Sequence, residues 1–400
     1  MNYDFDRIID RHQTCSVKWD FNQKIFGRED VLPLWVADMD FQAPQAVVEA
    51  LVKRAEHGIF GYSEGMDGYY DSLIAWSKKR HGWAIQQDWI SFSPGIVFAL
   101  YELVRSLTKP GDKVLLQSPV YPPFFKAIRE NGREVVNSPL KFEGRRYVMD
   151  FADLEEKFAG GVKMMLLCSP HNPVGRVWER QELERLGQLC LAYGVLLVSD
   201  EIHGDLIFEG HRHIPFASLS PEFEMQSIVC TAPSKTFNLA GLQTSNLIIP
   251  NPEYRQTFIQ SRNLTGIHSP NVFGITALEA AYRHGEDWLN QLMPYLAGNA
   301  EFLLNSLAQE LPQVKGIKPE GTYLVWLDFR ELGMEPKELE EFLIHKAGVG
   351  LNAGYQFGPG GEGFARFNIG CCRSLVEEGF RRIRESIAEN GHPTGSFPPN

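Results

Sequence analysis

The sequence has few cysteines, no long hydrophobic run and no excess of positive charge. Its 400 residues include six cysteines, and none are spaced as C-x-x-C, which argues against a disulfide scaffold. No apolar stretch approaches the ~18 residues needed to span a bilayer. The 39 basic and 50 acidic residues leave a net charge of −11, which argues against nucleic acid or an anionic membrane as the main partner. No metal site is predicted.

The amino terminus and the cysteine pattern bear on location. The first ten residues, MNYDFDRIID, are acidic and lack an apolar core, so no secretory signal is expected. Cys168, Cys190 and Cys230 lie in apolar runs and are interpreted as small core residues. We therefore expect a cytoplasmic protein.

Five segments share a pattern in which a short apolar run leads into a polar, Pro- or Gly-rich loop: WISFSPG, DKVLLQSPVYPP, VKMMLLCSPHNPVG, VLLVSDEIHGD and SIVCTAPSKTF. Amphipathic stretches lie between them. Over 179–194, for example, Leu183, Leu186 and Cys190 recur at helical spacing, and Gly194 fits a C-terminal stop. This alternation is typical of a mostly parallel α/β sheet, in which ligands bind beyond the carboxyl ends of the strands.

The last third of the chain has a different pattern. GTYLVWLDF and FARFNIG predict strands, and a helix is expected between them around 336–347. The final helix is predicted to begin with a capping box formed by Ser374 and Glu377, and to carry one apolar face of Val376, Phe380, Ile383 and Ile387. We predict four units: an amino-terminal segment (1–45) packing with the small domain, a large domain (46–284), a small α+β domain (285–390) and a disordered tail (391–400).

Several predicted loops carry polar residues with both a structural and a functional interpretation. Gly95 precedes an amphipathic helix whose free N–H groups either hold a phosphate or form an ordinary strand-to-helix turn. Asn172 precedes a proline, which is also a common start of a turn. Asp200 ends a buried apolar strand, where a carboxylate needs a cation or hydrogen-bond donors. Arg366, in a predicted buried strand, either pairs within the fold or binds a substrate carboxylate.

Lys235 follows another apolar strand, in CTAPSKTFNLAGLQ. Taken alone, it fits a surface lysine whose stem is buried and whose amine is solvated. Together with the helix after Gly95 and the carboxylate of Asp200, it fits pyridoxal 5′-phosphate, which needs an amine for its aldehyde, an anion for its ring nitrogen and a helix N-terminus for its phosphate. A carboxylate about 4 Å from the ring cation would contribute roughly 4 kcal/mol at an effective dielectric constant of about 20, or about three pKa units.

These motifs, in this order, resemble the fold-type I pyridoxal-phosphate enzymes of the aminotransferase class I/II group. More narrowly, six motifs are similar to those of the MalY/PatB branch, the cystathionine β-lyases or cysteine-S-conjugate β-lyases: LPLWVADMDF, GIFGYSE, SPHNPVGRVW, DEIHGDL, APSKTFNLAGLQ and GPGGEGFARFNIG. The resemblance runs from about residue 3 to 390. It implies a mostly parallel central sheet with helices on both faces and a smaller α+β domain.

The resemblance also implies roles around the cofactor ring. Lys235 would bind the aldehyde and Asp200 would pair with the ring nitrogen. Tyr121 would stack on the ring, and Asn172 would donate to its 3-oxygen. His203 stands where many aminotransferases have a tyrosine, as in the β-lyase branch.

Further roles implied by the resemblance concern phosphate and substrate. Arg366 would bind the substrate α-carboxylate, and Tyr62 would reach the phosphate of the neighbouring subunit in a homodimer. The phosphate would be held by the amides of Gly95, Ile96 and Val97 together with Ser234.

Three features depart from the wider pattern or mimic another one. Gln243 stands where many aminotransferases have a phosphate-binding arginine. Arg373 is either a second carboxylate contact or a solvated residue that leads the last helix. GPGGEG, at 358–363, matches the dinucleotide fingerprint G-x-G-x-x-G, but it precedes an apparent strand where the fingerprint must follow one.

The predicted reaction is β-elimination from a cysteine derivative that carries sulfur on its β-carbon. The expected partner is thus a small sulfur amino acid such as L-cystathionine, and the products are a thiol, pyruvate and ammonia. An aminotransferase that uses a 2-oxo acid acceptor is the alternative within the same fold. A pyridoxal-phosphate protein with an additional regulatory role is a second alternative.

Overall fold

The computed structural model describes residues 2–390, so the predicted disordered tail, 391–400, lies outside the described residues. The strands are β1 (Leu32–Pro33), β2 (Ile90–Ser93), β3 (Lys113–Leu116), β4 (Glu134–Asn137), β5 (Lys141–Glu143), β6 (Arg146–Val148), β7 (Val162–Cys168), β8 (Leu196–Asp200), β9 (Ser227–Thr231), β10 (Ser245–Ile248), β11 (Lys315–Ile317), β12 (Leu324–Asp328), β13 (Val349–Gly350), β14 (Asn352–Ala353) and β15 (Phe364–Asn368).

The α-helices are α1 (Asn22–Phe26), α2 (Gln45–Glu56), α3 (Asp67–His81), α4 (Ile96–Leu107), α5 (Pro123–Arg129), α6 (Phe151–Ala159), α7 (Arg180–Tyr193), α8 (Pro221–Met225), α9 (Pro233–Thr236), α10 (Pro252–Leu264), α11 (Val272–His284), α12 (Glu286–Glu310), α13 (Pro336–Glu341) and α14 (Arg373–Glu389). A π-helical turn, Phe342–Lys346, continues α13. Short 3-10 turns cover Gln87–Trp89, Phe216–Leu219, Ala240–Leu242, Arg330–Leu332 and Gly354–Phe357.

A seven-stranded sheet in the order β2-β10-β9-β8-β7-β3-β4 forms the centre of the large predicted domain. Its strands run parallel except β10, which is antiparallel to both β2 and β9. The segment between β9 and β10 forms only short helical turns, so the chain re-enters the sheet from the edge at which β9 left it. The predicted mostly parallel α/β sheet is confirmed, with β10 as its exception.

The helices flanking this sheet follow the apolar spacing of the sequence. In α7, Leu183, Leu186 and Cys190 are buried, and the helix ends at Gly194, whose φ of 65° is left-handed and suits glycine. Both features confirm the prediction for this helix. Cys168 and Cys230 are likewise buried, and all six cysteines are unpaired.

The predicted start of α14 is wrong. The helix begins at Arg373 with Cys372 as its N-cap, and no side chain caps it. Ser374 lies inside the first turn, where its hydroxyl is 3.3 Å from the Cys372 sulfur. Since a cap must precede the helix, a serine in this position cannot form the box with Glu377. The predicted apolar face is confirmed, because its four residues are buried: Val376, Phe380, Ile383 and Ile387.

A second, four-stranded antiparallel sheet has the order β11-β12-β15-β14. The amino-terminal segment packs against the carboxy-terminal part of the chain. Its strand β1 pairs in parallel with β13 in a separate two-stranded sheet, and the Phe5 ring contacts Trp288 and Tyr295 of α12. One hydrophobic cluster contains Phe5 and Trp288 together with Trp76 of α3. The division into four units therefore stays a prediction.

No helix among residues 2–390 is long and apolar enough to cross a membrane.

Candidate active site

A cavity of about 430 Å³ opens at the carboxyl edge of the seven-stranded sheet, where parallel strands deliver their loops side by side. The sequence predicted nine of its lining residues: Gly95, Ile96, Val97, Tyr121, Asn172, Asp200, His203, Ser234 and Lys235. Arg366 contacts this group through Asn172. Tyr62 lies outside the cavity of its own chain and is fully exposed.

Lys235 is carried by α9, a single helical turn that begins at Pro233, and Ala232 alone separates it from the end of β9. Its Nζ donates a hydrogen bond of 2.5 Å to the backbone oxygen of Ala37. Burial, followed by the positive charge of Arg366, lowers the pKa of Lys235 from 10.5 to about 8. At pH 7 about a tenth of the amines are then neutral, whereas an ordinary lysine has about one neutral amine in a few thousand. Lys235 is therefore suited to act as a nucleophile or a base.

Asp200 is the last residue of β8, a strand that is buried along its whole length. Its Oδ1 accepts a hydrogen bond of 3.2 Å from the N–H of Ile202. Burial raises the pKa of Asp200 to about 7, although this hydrogen bond and the charge of Lys235 both oppose the rise. Within residues 2–390, no cationic side chain forms an ion pair with it. A cation bound in the cavity next to Asp200 would thus stabilise the ionised form of its carboxylate.

Arg366 is a buried cation whose partners are neutral. Its guanidinium donates to Asn172 Oδ1 at 2.9 Å, to the Trp35 carbonyl oxygen at 2.9 Å and to Asn352 Oδ1 at 2.5 Å. Its Nε is buried without a partner among the described residues. Burial lowers the pKa of Arg366 to about 10. An anion, such as a carboxylate, would complete this environment.

Tyr121 and His203 complete the walls of the cavity. The backbone N–H of Tyr121 donates to the backbone oxygen of Asn172 at 3.1 Å, which ties these two loops together. Burial raises the pKa of the Tyr121 phenol. Burial, with the positive charges of Lys235 and Arg366, holds the pKa of His203 well below its ordinary value. His203 is thus neutral near pH 7, and its Nδ1 has no partner among the described residues.

The amino terminus of α4 forms one end of the cavity. Its N-cap is Gly95, so no side chain accepts from the first-turn N–H groups. A Cβ placed on Gly95 would meet no atom within 4 Å, so the space in front of these groups is open. Ser234 and the exposed Gln243 also line this cavity. Free amides and the positive end of a helix dipole suit a phosphate.

The amino-terminal segment contributes contacts that were not predicted from the sequence. The Ala37 carbonyl accepts from Lys235 and also from the Tyr323 hydroxyl at 2.7 Å, while Trp35 and Asn352 hold Arg366. Trp35 and Ala37 belong to the motif LPLWVADMDF, which contributes to the family resemblance but predicts no role for either residue. Both act through backbone oxygens, which every residue type supplies, so no residue-type signal could identify them.

The two ambiguous features of the carboxy-terminal part have a structural explanation. Arg373 lies outside the cavity, where its Nε donates to Asn299 Oδ1 at 2.8 Å and its guanidinium lies over the Phe302 ring. It is thus neither a carboxylate contact in this cavity nor freely solvated. GPGGEG forms the loop that leads into β15, which confirms that it is not a dinucleotide fingerprint.

The donor set fits pyridoxal 5′-phosphate: a partly neutral buried amine for the aldehyde, a buried unpaired carboxylate for the ring nitrogen, and a helix N-terminus facing open space for the phosphate. The fold and this cavity define an enzyme that uses this cofactor. The chain belongs to the aminotransferase class I and II family, whose model matches residues 29–383.

Known relatives narrow the comparison. Cystathionine beta-lyase PatB of Bacillus subtilis (strain 168) is 47% identical over 385 residues, covering 96% of this chain and 100% of the relative. The crystal structure of cystalysin from Treponema denticola, which contains pyridoxal 5′-phosphate, has a TM-score of 0.95 at 39% identity and covers 98% of this chain and 100% of that one. The pyridoxal-phosphate-bound C–S lyase from Staphylococcus hominis has a TM-score of 0.91 at 36% identity, covering 96% and 98%.

Proposed function

We propose that this protein is a carbon–sulfur lyase that catalyses β-elimination from L-cystathionine or a related cysteine S-conjugate. The observation that carries the proposal is a buried amine of lowered pKa in the cavity, close to an arginine that contacts the lining residue Asn172 and has no carboxylate partner among the described residues. For an α-amino acid substrate, the buried amine can accept the α-proton and the arginine can bind the carboxylate. The relatives named cystathionine β-lyase and C–S lyase support the choice of a sulfur-bearing substrate.

Pyridoxal phosphate, when bound, supplies an aldehyde that condenses with amines and a ring that accepts an electron pair. Lys235 would hold the aldehyde and Asp200 the ring nitrogen. Asn172 would donate to the ring oxygen, while Tyr121 and His203 would bound the ring. The phosphate would lie against Ser234 and the amides of Gly95, Ile96 and Val97.

The chain's own residues then perform binding and proton transfer. Arg366 would bind the substrate α-carboxylate and orient the α-carbon, because its buried guanidinium has only neutral partners and its Nε has none among the described residues. Lys235, once the amine of the substrate has displaced it from the aldehyde, would be a free neutral amine and would take the proton from the α-carbon. The carbon–sulfur bond then breaks with its electron pair on sulfur, and the thiolate leaves. Addition of one water to the remaining three-carbon fragment gives pyruvate and ammonia.

Product analysis tests this reaction. The purified protein, reconstituted with pyridoxal phosphate, is given L-cystathionine without any 2-oxo acid, and free thiol and pyruvate are measured. We expect equal amounts of both from the native protein and none from Lys235→Ala. Amino transfer that requires an added 2-oxo acid, with no release of pyruvate, would support the aminotransferase alternative and contradict the lyase.

The loop that carries Tyr62 supports a homodimer. Ile59, Phe60, Tyr62 and Met66, and also Leu264 at the end of α10, are large apolar residues that are exposed in the single chain. Isolated exposed apolar residues are common, but a group within one loop marks an interaction surface. We therefore propose that a second copy covers this loop and that Tyr62 reaches the partner's phosphate site.

Complementation between inactive subunits tests this shared site. Tyr62→Ala and Lys235→Ala are each expected to be weakly active or inactive alone. A mixed dimer regains one site in which both residues are native, so co-expression should restore about a quarter of native activity. No recovery from a mixture shown by mass to contain mixed dimers would contradict a role for Tyr62 across the interface.

We also propose a cytoplasmic location, with which the six unpaired cysteines are compatible.

A further inference from the structure

Asp205 is a buried carboxylate outside the cavity, five positions after Asp200 in the motif DEIHGDL. Thr236 Oγ1 donates to it at 2.8 Å, and Trp76 Nε1 lies 3.1 Å from both of its oxygens. His81 Nε2 lies 3.0 Å from its Oδ1. We call these four residues, Trp76, His81, Asp205 and Thr236, the Asp205 cluster.

The Asp205 cluster is built for an ionised carboxylate. Burial opposes ionisation, yet the hydrogen bond and charge of His81 and the hydrogen bond of Thr236 hold the pKa of Asp205 below its ordinary value. The donors converge on two oxygens. An asparagine in this position would offer one acceptor oxygen and would turn an N–H group towards the donors.

Thr236 connects this cluster to the reactive amine. It follows Lys235 in α9, a helix of four residues, and is buried. A single turn is not stable by itself, so its orientation depends on contacts with the rest of the fold. Its backbone is tied by bonds from Phe237 N–H to the Pro233 oxygen at 2.9 Å and from Leu239 N–H to the Ser234 oxygen at 3.0 Å. The Thr236 hydroxyl adds a side-chain bond to a different part of the chain.

The residue after Asp200 is held in the same region. Glu201 accepts from the Phe216 N–H at 2.9 Å and pairs with His213 Nε2 at 2.9 Å. The His213 ring meets the edge of the His81 ring at a centroid distance of 5.3 Å. The neighbours of Asp200 and of Lys235 therefore pack into one buried polar region on α3, which restrains both loops relative to each other.

We propose that Asp205 is a positioning residue for the elimination: through the Thr236 hydroxyl it holds α9 so that the Lys235 amine meets the substrate α-proton. Asp205 touches neither substrate nor cofactor in this role. The proposal rests on the proposed function for the identity of the reaction. The placement of Lys235, however, also governs its condensation with pyridoxal phosphate, which can be measured without any substrate.

Paired variants of Thr236 test the connection. Thr236→Val removes the hydroxyl at nearly constant shape, while Thr236→Ser keeps it and removes a methyl group. Thr108→Val makes the same change at a buried threonine outside the cavity, whose hydroxyl donates to the Val104 oxygen at 2.5 Å, and serves as the stability control. For each variant, kcat and KM for pyruvate release, the melting temperature and the rate of pyridoxal phosphate condensation are measured. Condensation is followed by absorbance and by borohydride trapping at Lys235.

We expect Thr236→Val to lower kcat about tenfold to hundredfold with KM changed less than about twofold, because a misplaced base weakens the chemical step more than binding. Condensation at Lys235 should slow as well. Thr236→Ser should restore both rates to within about threefold of native, and Thr108→Val should lower the melting temperature while kcat stays within about twofold.

Native rates in Thr236→Val, or equal losses of kcat in Thr236→Val and Thr108→Val, would overturn the proposal. If neither the native protein nor any variant releases pyruvate, the proposed lyase activity is wrong. Slower condensation in Thr236→Val than in Thr236→Ser would still support the positioning of Lys235. Asp205→Asn should reproduce the Thr236→Val effects. If Asp205→Asn does not fold, the Thr236 pair decides.

Discussion

Burial changes the chemistry of Lys235 more than any single neighbouring charge does. Burial is the largest cause of its lowered pKa and the Arg366 charge the next, while Asp38 and Asp200 oppose the change. The same burial raises the pKa of Asp200 towards neutrality. Burial thus brings both pKa values close to neutral pH, where the amine is partly neutral and the carboxylate partly ionised. A ring cation at Asp200 would restore its charge.

The pH dependence of condensation checks the lowered pKa of Lys235. Only the neutral amine attacks an aldehyde, so the rate at Lys235 should rise with pH and level off above about pH 8. The matched comparison is a simple alkylamine, whose rate should keep rising to about pH 10. Borohydride trapping followed by peptide mass measurement assigns the reaction to position 235. If the rate at Lys235 still increases tenfold between pH 9 and 10, as the rate of the alkylamine is expected to do, the result would contradict the pKa of about 8.

The two arginines near the carboxy terminus provide a matched pair of variants. Arg366→Lys keeps the charge but loses the planar fork, so KM for the amino acid should rise about tenfold to hundredfold, with a smaller effect on kcat. Arg373→Lys should leave KM within about twofold, because Arg373 contacts Asn299 outside the cavity. Steady-state kinetics of pyruvate release measure both. Equal effects of the two changes would exclude Arg366 as the specific carboxylate contact.

At the scale of elements, the carboxyl ends of β7, β8 and β9 bring Asn172, Asp200 and Lys235 to one edge of the sheet. This arrangement follows from the parallel strand pattern and could be predicted from the sequence. The start of α14 could not, because Ser374 and Glu377 match the capping pattern and only the path of the preceding chain decides which residue precedes the helix. A local sequence pattern shows only that a residue could cap the helix, and the tertiary structure decides which residue lies at the N-cap position.

The packing of α7 on α8 gives a stability prediction at this scale. Gly187 of α7 is buried, and a Cβ there would lie 2.4 Å from the Phe223 ring. Alanine improves helix propensity by about 1 kcal/mol, but overpacking costs about 1–3 kcal/mol. Gly187→Ala should therefore lower the free energy of unfolding by about 1 kcal/mol, as measured by denaturant titration.

Gln188→Ala is the control, because Gln188 is the next residue of α7 and is exposed. Its change in the free energy of unfolding should stay within about 0.5 kcal/mol. If Gly187→Ala is as stable as Gln188→Ala, then Phe223 moves away without cost and the close packing is not important for stability.

At the scale of the whole molecule, a buried ionic group joins the two sheets. Glu320, between β11 and β12, accepts from Arg176 Nη1 at 2.8 Å and from the Val177 N–H at 2.9 Å. Its own N–H donates to the Gly175 oxygen at 2.8 Å. These bonds fix the loop that carries Asn172, which in turn meets Arg366 of the second sheet. The positions of Asn172 and Arg366 thus depend on contacts between distant parts of the chain.

Glu320 should make the stability of the fold depend on acid pH. Burial tends to raise its pKa, but the Val177 N–H and the Arg176 charge hold it below the ordinary value of 4.5. A carboxyl whose pKa is lower in the folded state stabilises the fold fully above 4.5 and loses this contribution as pH falls through the folded-state pKa. Glu320→Gln should therefore cost about 2–3 kcal/mol at pH 7 and less at low pH, as measured by denaturant titration.

The control for this variant is Glu184→Gln, which breaks an exposed pair with Arg180. Its cost should stay below about 1 kcal/mol at both pH values. A cost for Glu320→Gln that is the same at pH 7 and pH 3, or that matches the Glu184→Gln cost, would show that the charge of Glu320 does not stabilise the molecule.

The sequence by itself determined the sheet type, the strand-end loops and the family, because apolar spacing and the order of short motifs are local properties of the chain. It also singled out side chains for which we propose roles in the chemistry, such as Lys235, Asp200 and Asn172. Only the tertiary structure decided which distant groups complete them: the Ala37 oxygen that meets Lys235 across 198 positions, and the Asp205 cluster behind α9. Backbone oxygens and buried donors have no signature of residue type, since their roles arise from the way distant segments pack.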